Sequence, residues 1–186
     1  IVIAAAGNLG HQRLVDLIGP AFESVRRKDG FPERITPANR CLVDIRPREL
    51  EQVHICLGTA GLSMVDSRRY AFSLLNTILG GNMSSRLFQT IRERHGLAYS
   101  IQSSTTYLAD TGAFVISAGL DAKHLHKVLT LVLRELKKIA RQPPAAAEIR
   151  RAKDYAIGQM RLGLESSSNQ MMWLGEHLLA YGTIQS

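Results

Sequence analysis

Two runs of alternating residues, 97–108 and 112–118, meet at Asp110-Thr111-Gly112. A short Gly-containing turn between such runs signals a β-hairpin. The antiparallel pairing it implies excludes an all-parallel Rossmann sheet. Upstream, residues 2–6, 42–45 and 53–57 also read as strands. Helical spacing marks residues 11–26, with Leu14, Leu17, Ile18, Phe22 and Val25 on one face. Asp66 is placed to cap a helix carrying Tyr70, Leu74, Leu75 and Ile78, and Gly80-Gly81-Asn82 to end it with left-handed residues. Residues 123–140 form a further amphipathic helix, broken at Pro143-Pro144, and two more helices follow. The fold class expected is α+β: a mostly antiparallel sheet with helices packed on one face.

The chain has 186 residues, 45% of them hydrophobic. That suffices for one ordinary domain, or one domain and a piece of another. No apolar run approaches the ~20 residues that span a bilayer, so no membrane insertion is expected. The first residue is Ile, the chain opens on a core-like strand, and it stops just after a helix. A fragment of something longer is therefore expected. Residues 27–39 combine charge, glycine and two prolines and read as a linker.

The net charge is +7. A basic balance suits nucleic acid, an anionic membrane surface or an acidic peptide. Here the basic residues are scattered, and they read as solvated helix faces rather than a nucleic-acid interface. Cys41 and Cys56 lie in separate expected strands. Two buried free thiols are expected, with a cross-strand disulfide as the alternative.

Several chemistries are excluded by spacing. Ala6-Gly7-Asn8-Leu9-Gly10 lacks the middle glycine of a dinucleotide fingerprint. Residues 80–85 lack the lysine that a phosphate loop needs. The six histidines form neither His-Glu-x-x-His nor His-x-x-Glu-His, so no metal site is expected in this chain. No serine stands in Gly-x-Ser-x-Gly, and no nucleophile constellation is visible.

One segment has positive content. Ser84 or Ser85 would cap a short helix, 86–94, anchored by Leu87, Phe88 and Ile91 and stopped by Gly96, with a strand following at once. Arg92 falls in the last turn and Tyr99 at the start of the strand. A guanidinium and a phenol on one rim would receive a carbonyl oxygen or a carboxylate. The alternative is that Arg92 pairs with a surface acid and Tyr99 is half-buried core.

Gly80-Gly81, Ser84-Ser85-Arg86-Leu87-Phe88, Ile91-Arg92-Glu93 and Gly96-Leu97-Ala98-Tyr99-Ser100 resemble the signature of the C-terminal half of pitrilysin/insulinase-family zinc metallopeptidases. The mitochondrial processing peptidase and its bacterial relatives belong to that family. Asp110-Thr111-Gly112-Ala113-Phe114 resembles the family's hairpin.

The resemblance implies residues 1–26 as the closing strand and helix of a preceding zinc-bearing half. It implies 27–39 as the linker and 40–186 as the non-catalytic half, ending before its last helix and strand. In the family, zinc sits in the other half, on His-x-x-Glu-His and a distal Glu, so Zn2+ is expected there and no cofactor here. Arg92 and Tyr99 are implied to bind the peptide backbone near the scissile bond and stabilise the oxyanion. Gly80, Gly81, Ser85, Arg86, Phe88 and Gly96 are implied to support that site. Implied partners are a peptide or protein substrate and the zinc-bearing half, in cis or in trans as a homo- or heterodimer. The compartment is left open between the bacterial cytoplasm and periplasm. A non-catalytic partner subunit of a split peptidase, or a structural subunit of a related complex, is the alternative.

Overall fold

The computed structural model describes residues 1–26, 35–38 and 40–184. Most of the expected linker, 27–39, lies outside the described residues. The chain divides into two compact units, Ile35–Ala156 and a second made of Ile1–Arg34 with Ile157–Ser186.

The unit Ile35–Ala156 is built on three antiparallel strands: Val53–Ala60 (β1), Ser100–Tyr107 (β2) and Gly112–Leu120 (β3), in the order β1-β3-β2. The hairpin read from Asp110-Thr111-Gly112 joins β2 to β3, and Leu108 N–H donates to Thr111 O at 2.9 Å. β3 lies in the middle because it is the strand with the most to bury: Phe114, Ile116, Ala118 and Leu120 face the core. The register places Ile55 and Ile101 opposite Ala118, and Leu57 and Ser103 opposite Ile116, so one face is apolar. The alternate positions, Cys56, Ser117, Gln102 and Ser104, form the other face, as strand periodicity requires.

The α-helices of this unit among the described residues are Arg69–Leu79 (α2), Leu125–Arg141 (α3) and the first part of Ala146–Leu164 (α4). The core joins Leu79, Leu87, Ile91, Phe114, Ile116, Val128 and Val132. Phe72 of α2 meets Tyr107 edge-on at 6.5 Å and Phe114 at 5.8 Å. Such ring pairs add to area burial alone. Ahead of α2, Asp66 accepts from the backbone N–H of Arg68 at 2.8 Å and from its side chain. Hydrogen bonds from the Arg68 side chain, then its backbone, hold the Asp66 carboxyl down to about 2.

The other unit contains His11–Phe22 (α1), the remainder of α4 and Ser167–Tyr181 (α5). Leu14 and Ile18 of α1 line an apolar cavity of about 410 Å³ with Leu174 and Leu178 of α5. His177 is satisfied locally: its Nδ1 lies 3.0 Å from Trp173 O and its ring 4.2 Å from the Trp173 ring.

Three expectations are corrected. Residues 2–6 and 42–45 form no strand among the described residues. An apolar run becomes a strand only where an edge exists to satisfy its backbone. Leu42, Val43 and Ile45 are correspondingly exposed. The two cysteines are free but exposed, not buried. Alternation explains Cys56, since its neighbours Ile55 and Leu57 take the core face. Among the described residues, no helix is long and apolar enough to cross a membrane.

Candidate functional site

The corner begins where α2 ends. Gly80 and Gly81 N–H both donate to Asn76 O at 2.9 Å, and Ser103 N–H donates to Gly80 O at 2.9 Å. The sequence suggested left-handed backbone here, but Gly80 has φ −157° and ψ 8°, outside the left-handed region. What demands glycine is proximity. A Cβ on Gly80 would lie 2.7 Å from Ser103 N, and one on Gly81 2.9 Å from Thr77 Cα. Gly80→Ala therefore displaces β2 and the Ser103–Asn76 hydrogen bond of 2.7 Å. It is expected to lower stability by about 1–3 kcal/mol in urea unfolding.

Neither serine hydroxyl caps the following helix. The Asn82 side chain accepts from Ser84 N–H at 2.8 Å, and Gln89 reaches back to Met83 O at 2.8 Å. Ser85 is 1% exposed, and its hydroxyl has no hydrogen-bond partner among the described residues. The sequence predicts a short helix over 86–94; the structure has a helix there, and Phe88–Arg94 within it is a π-helix. This wider i→i+5 form is rare and recurs at functional sites. Leu87 and Ile91, both 0% exposed, fix it in the core. Gly96, at φ +60°, turns the chain out of it, as expected, because that backbone favours glycine.

Arg92 and Tyr99 lie on either side of that glycine. Arg92 is exposed, its guanidinium carbon 4.8 Å above the Phe88 ring. It makes no ion pair among the described residues. The ring contact fixes where the charge sits while leaving its N–H donors open. Tyr99 donates its backbone N–H to Gly119 O at 2.8 Å, and the residue is 60% exposed. No hydrogen bond or ring contact joins the two among the described residues. Tyr99 instead lines a cavity of about 260 Å³ with Gly96, Asp121, Lys123 and His124. The Lys123 ammonium pairs with Asp121 at 2.7 Å. Lys123 and His124 were not singled out for this corner from sequence; their signal is that they follow directly on β3.

Arg86 faces inward. Its Nε and Nη2 donate to Glu148 Oε1 and Oε2, each at 2.7 Å. The Arg86 hydrogen bonds pull the Glu148 carboxyl below its ordinary range, against the opposing effect of partial burial. Arg86 is raised in turn, chiefly by Glu148 and further by the charge of buried Glu135.

Among the described residues, no group of three or more His, Cys, Asp or Glu is placed to hold a metal ion. The residues present therefore do not fit a zinc site, and what the corner offers is hydrogen-bond donors.

Comparison with known proteins agrees with this division. The family model of the peptidase M16 inactive domain matches residues 1–155. An uncharacterized zinc protease of Streptomyces coelicolor is 40% identical over 190 residues, covering 98% of this chain and 41% of that protein. The crystal structure of a peptidase M16 inactive domain from Pseudomonas fluorescens matches with a TM-score of 0.62 at 28% identity, over 68% of this chain and 30% of that one. A protease from Helicobacter pylori matches in fold, with a TM-score of 0.75 at 21% identity over 94% of this chain and 44% of that one. The chain thus spans less than half the length of these relatives. With its antiparallel sheet and a family match over most of its length, the chain belongs to the peptidase M16 family and carries that family's inactive domain.

Proposed function

We propose that this chain is the substrate-orienting half of a zinc endopeptidase, with zinc carried by a partner half in cis or in trans. On this reading residues 1–26 close the zinc-bearing half, 27–39 link the two, and 40–186 form the orienting half. The observation that carries it is the corner at Gly96. Two exposed donors, Arg92 and Tyr99, flank a turn anchored by two fully buried side chains, Leu87 and Ile91. Donors held by a rigid frame suit a peptide carbonyl whose oxygen gains negative charge during cleavage, because they need no reorganisation when the charge appears. Arg92 supplies a permanent charge and a planar fork of N–H groups, and Tyr99 supplies a single O–H donor. Their task is to bind and orient the peptide backbone.

The expected result for the chain by itself is negative on both counts: no stoichiometric zinc by elemental analysis, and no cleavage of a fluorogenic peptide library. The chain joined with its zinc-bearing half, in cis or in trans, should show both. Stoichiometric zinc together with peptidase activity in the chain alone would overturn the proposal.

A further inference from the structure

We propose that the Arg86–Glu148 bridge is a positioning device that holds the Phe88–Arg94 helix in its π register and so sets the direction from which Arg92 meets a peptide. The inference rests on the reading of Arg92 given above and adds a residue, Glu148, that lies 62 positions from its partner along the chain.

A π-helix is the less favourable register for seven residues, and it persists where surrounding contacts over-determine it. Its apolar anchors cannot do this alone. Leu87 and Ile91 are fully buried, but apolar burial is non-directional. It holds one face of the helix against the core, and the bridge adds a directional tie to a second element. The bridge is directional. Two parallel hydrogen bonds of 2.7 Å join a planar guanidinium to a planar carboxylate. The side chains are only 17% and 22% exposed, which limits the screening that weakens surface pairs.

Both ends of the bridge are themselves held. Glu148 lies in the first turn of α4, where its N–H donates to Ala145 O at 2.9 Å and the helix dipole favours a negative charge. The charge of Arg151 also acts on Glu148, and that of Glu135, from α3, acts on Arg86. Arg86 immediately precedes Leu87 and the π-helix, so the bridge grips the helix at its start. Relaxation to an α register from that point removes one residue from the turn. An α-helix turns about 100° per residue, more than the wider π form, so relaxation would re-aim Arg92 relative to the Arg86 end that the bridge holds. Glu148 touches no substrate on this view; it acts through Arg92.

The bridge is formed over the whole neutral range. The lowered Glu148 carboxyl contributes its stability fully above the ordinary glutamate value and loses it only as pH falls through the lowered one.

The test uses the full-length protein and the isosteric change Glu148→Gln, which removes the charge and keeps the shape. Glu148→Gln is expected to lower kcat about tenfold with little change in KM, less than the ~100-fold that a full 1 Å misplacement can cost. In an Arg92→Ala background the same change should cost less than about twofold. Hydrogen exchange of a peptide covering 86–96 should quicken, while peptides covering 100–107 and 112–120 keep their rates. Wild-type turnover of Glu148→Gln, with Arg92→Ala still impaired, overturns the positioning role and leaves the reading of Arg92 intact. A tenfold loss that persists in the Arg92→Ala background also overturns it, since Glu148 would then act by another route. Wild-type turnover of Arg92→Ala removes the reading of Arg92 and the inference with it.

Discussion

Arg92→Ala in the full-length protein is expected to lower kcat/KM about 100-fold, the loss typical of removing one donor to a developing oxyanion. Zinc content should stay at the wild-type level, because no metal-holding group exists among the described residues here. The loss should fall on kcat more than on KM, since the charge Arg92 meets grows only as the reaction proceeds. Tyr99→Phe removes one hydroxyl and leaves the ring, so its expected loss is nearer tenfold. The fold should tolerate both changes, as both side chains are exposed. Unfolding midpoints in urea within about 0.5 kcal/mol of wild type check this. A loss of zinc from either variant would mean that the effect is structural.

The largest stability effect is expected from Leu87→Ala. Leu87 is fully buried and belongs to the core cluster that joins the corner to β3 and α3. Truncation removes the transfer free energy of the lost carbons and leaves a cavity that the packed neighbours fill only in part. A loss of about 3–4 kcal/mol is expected by denaturant unfolding, whereas Leu87→Met should cost less than about 1.5 kcal/mol. Leu87 also immediately precedes the π-helix, so the same change should loosen the corner before it unfolds the unit. Hydrogen exchange in 88–96 should therefore rise more than in 112–120.

These two predictions draw on parts of the molecule that were unequally legible in the sequence. The hairpin was legible because alternation and the Asp110-Thr111-Gly112 turn encode it locally. α3 was legible because its apolar spacing is regular over 17 residues. The runs at 2–6 and 42–45 misled, because strand-like composition says nothing about whether an edge is available. Gly80 and Gly81 were legible as glycines that matter, but for the wrong reason. Their need comes from Ser103 and Thr77 lying close by, a fact of packing and not of local backbone preference. The π register was hidden because local propensity does not distinguish an i→i+4 bond from an i→i+5 bond. The Arg86–Glu148 bridge was hidden because 62 residues separate its ends. At the corner itself, residue types and the Gly96 turn were readable. The placement of Lys123 and His124 beside Tyr99 required the hairpin to be folded first.

The central claim is that the Gly96 corner meets the substrate backbone near the bond that is cut. Photo-crosslinking tests it most directly. A benzophenone amino acid replaces Tyr99 in the full-length protein, and the same probe replaces Tyr70, an exposed residue of α2, as the control. Each is irradiated with a substrate peptide, and the adduct is mapped by mass spectrometry. The account predicts capture by the Tyr99 probe within about two residues of the scissile bond, a reach set by ~3.3 Å per extended residue, and none by the Tyr70 probe. Capture by both probes alike, or by neither while the peptide is still cleaved, would contradict it.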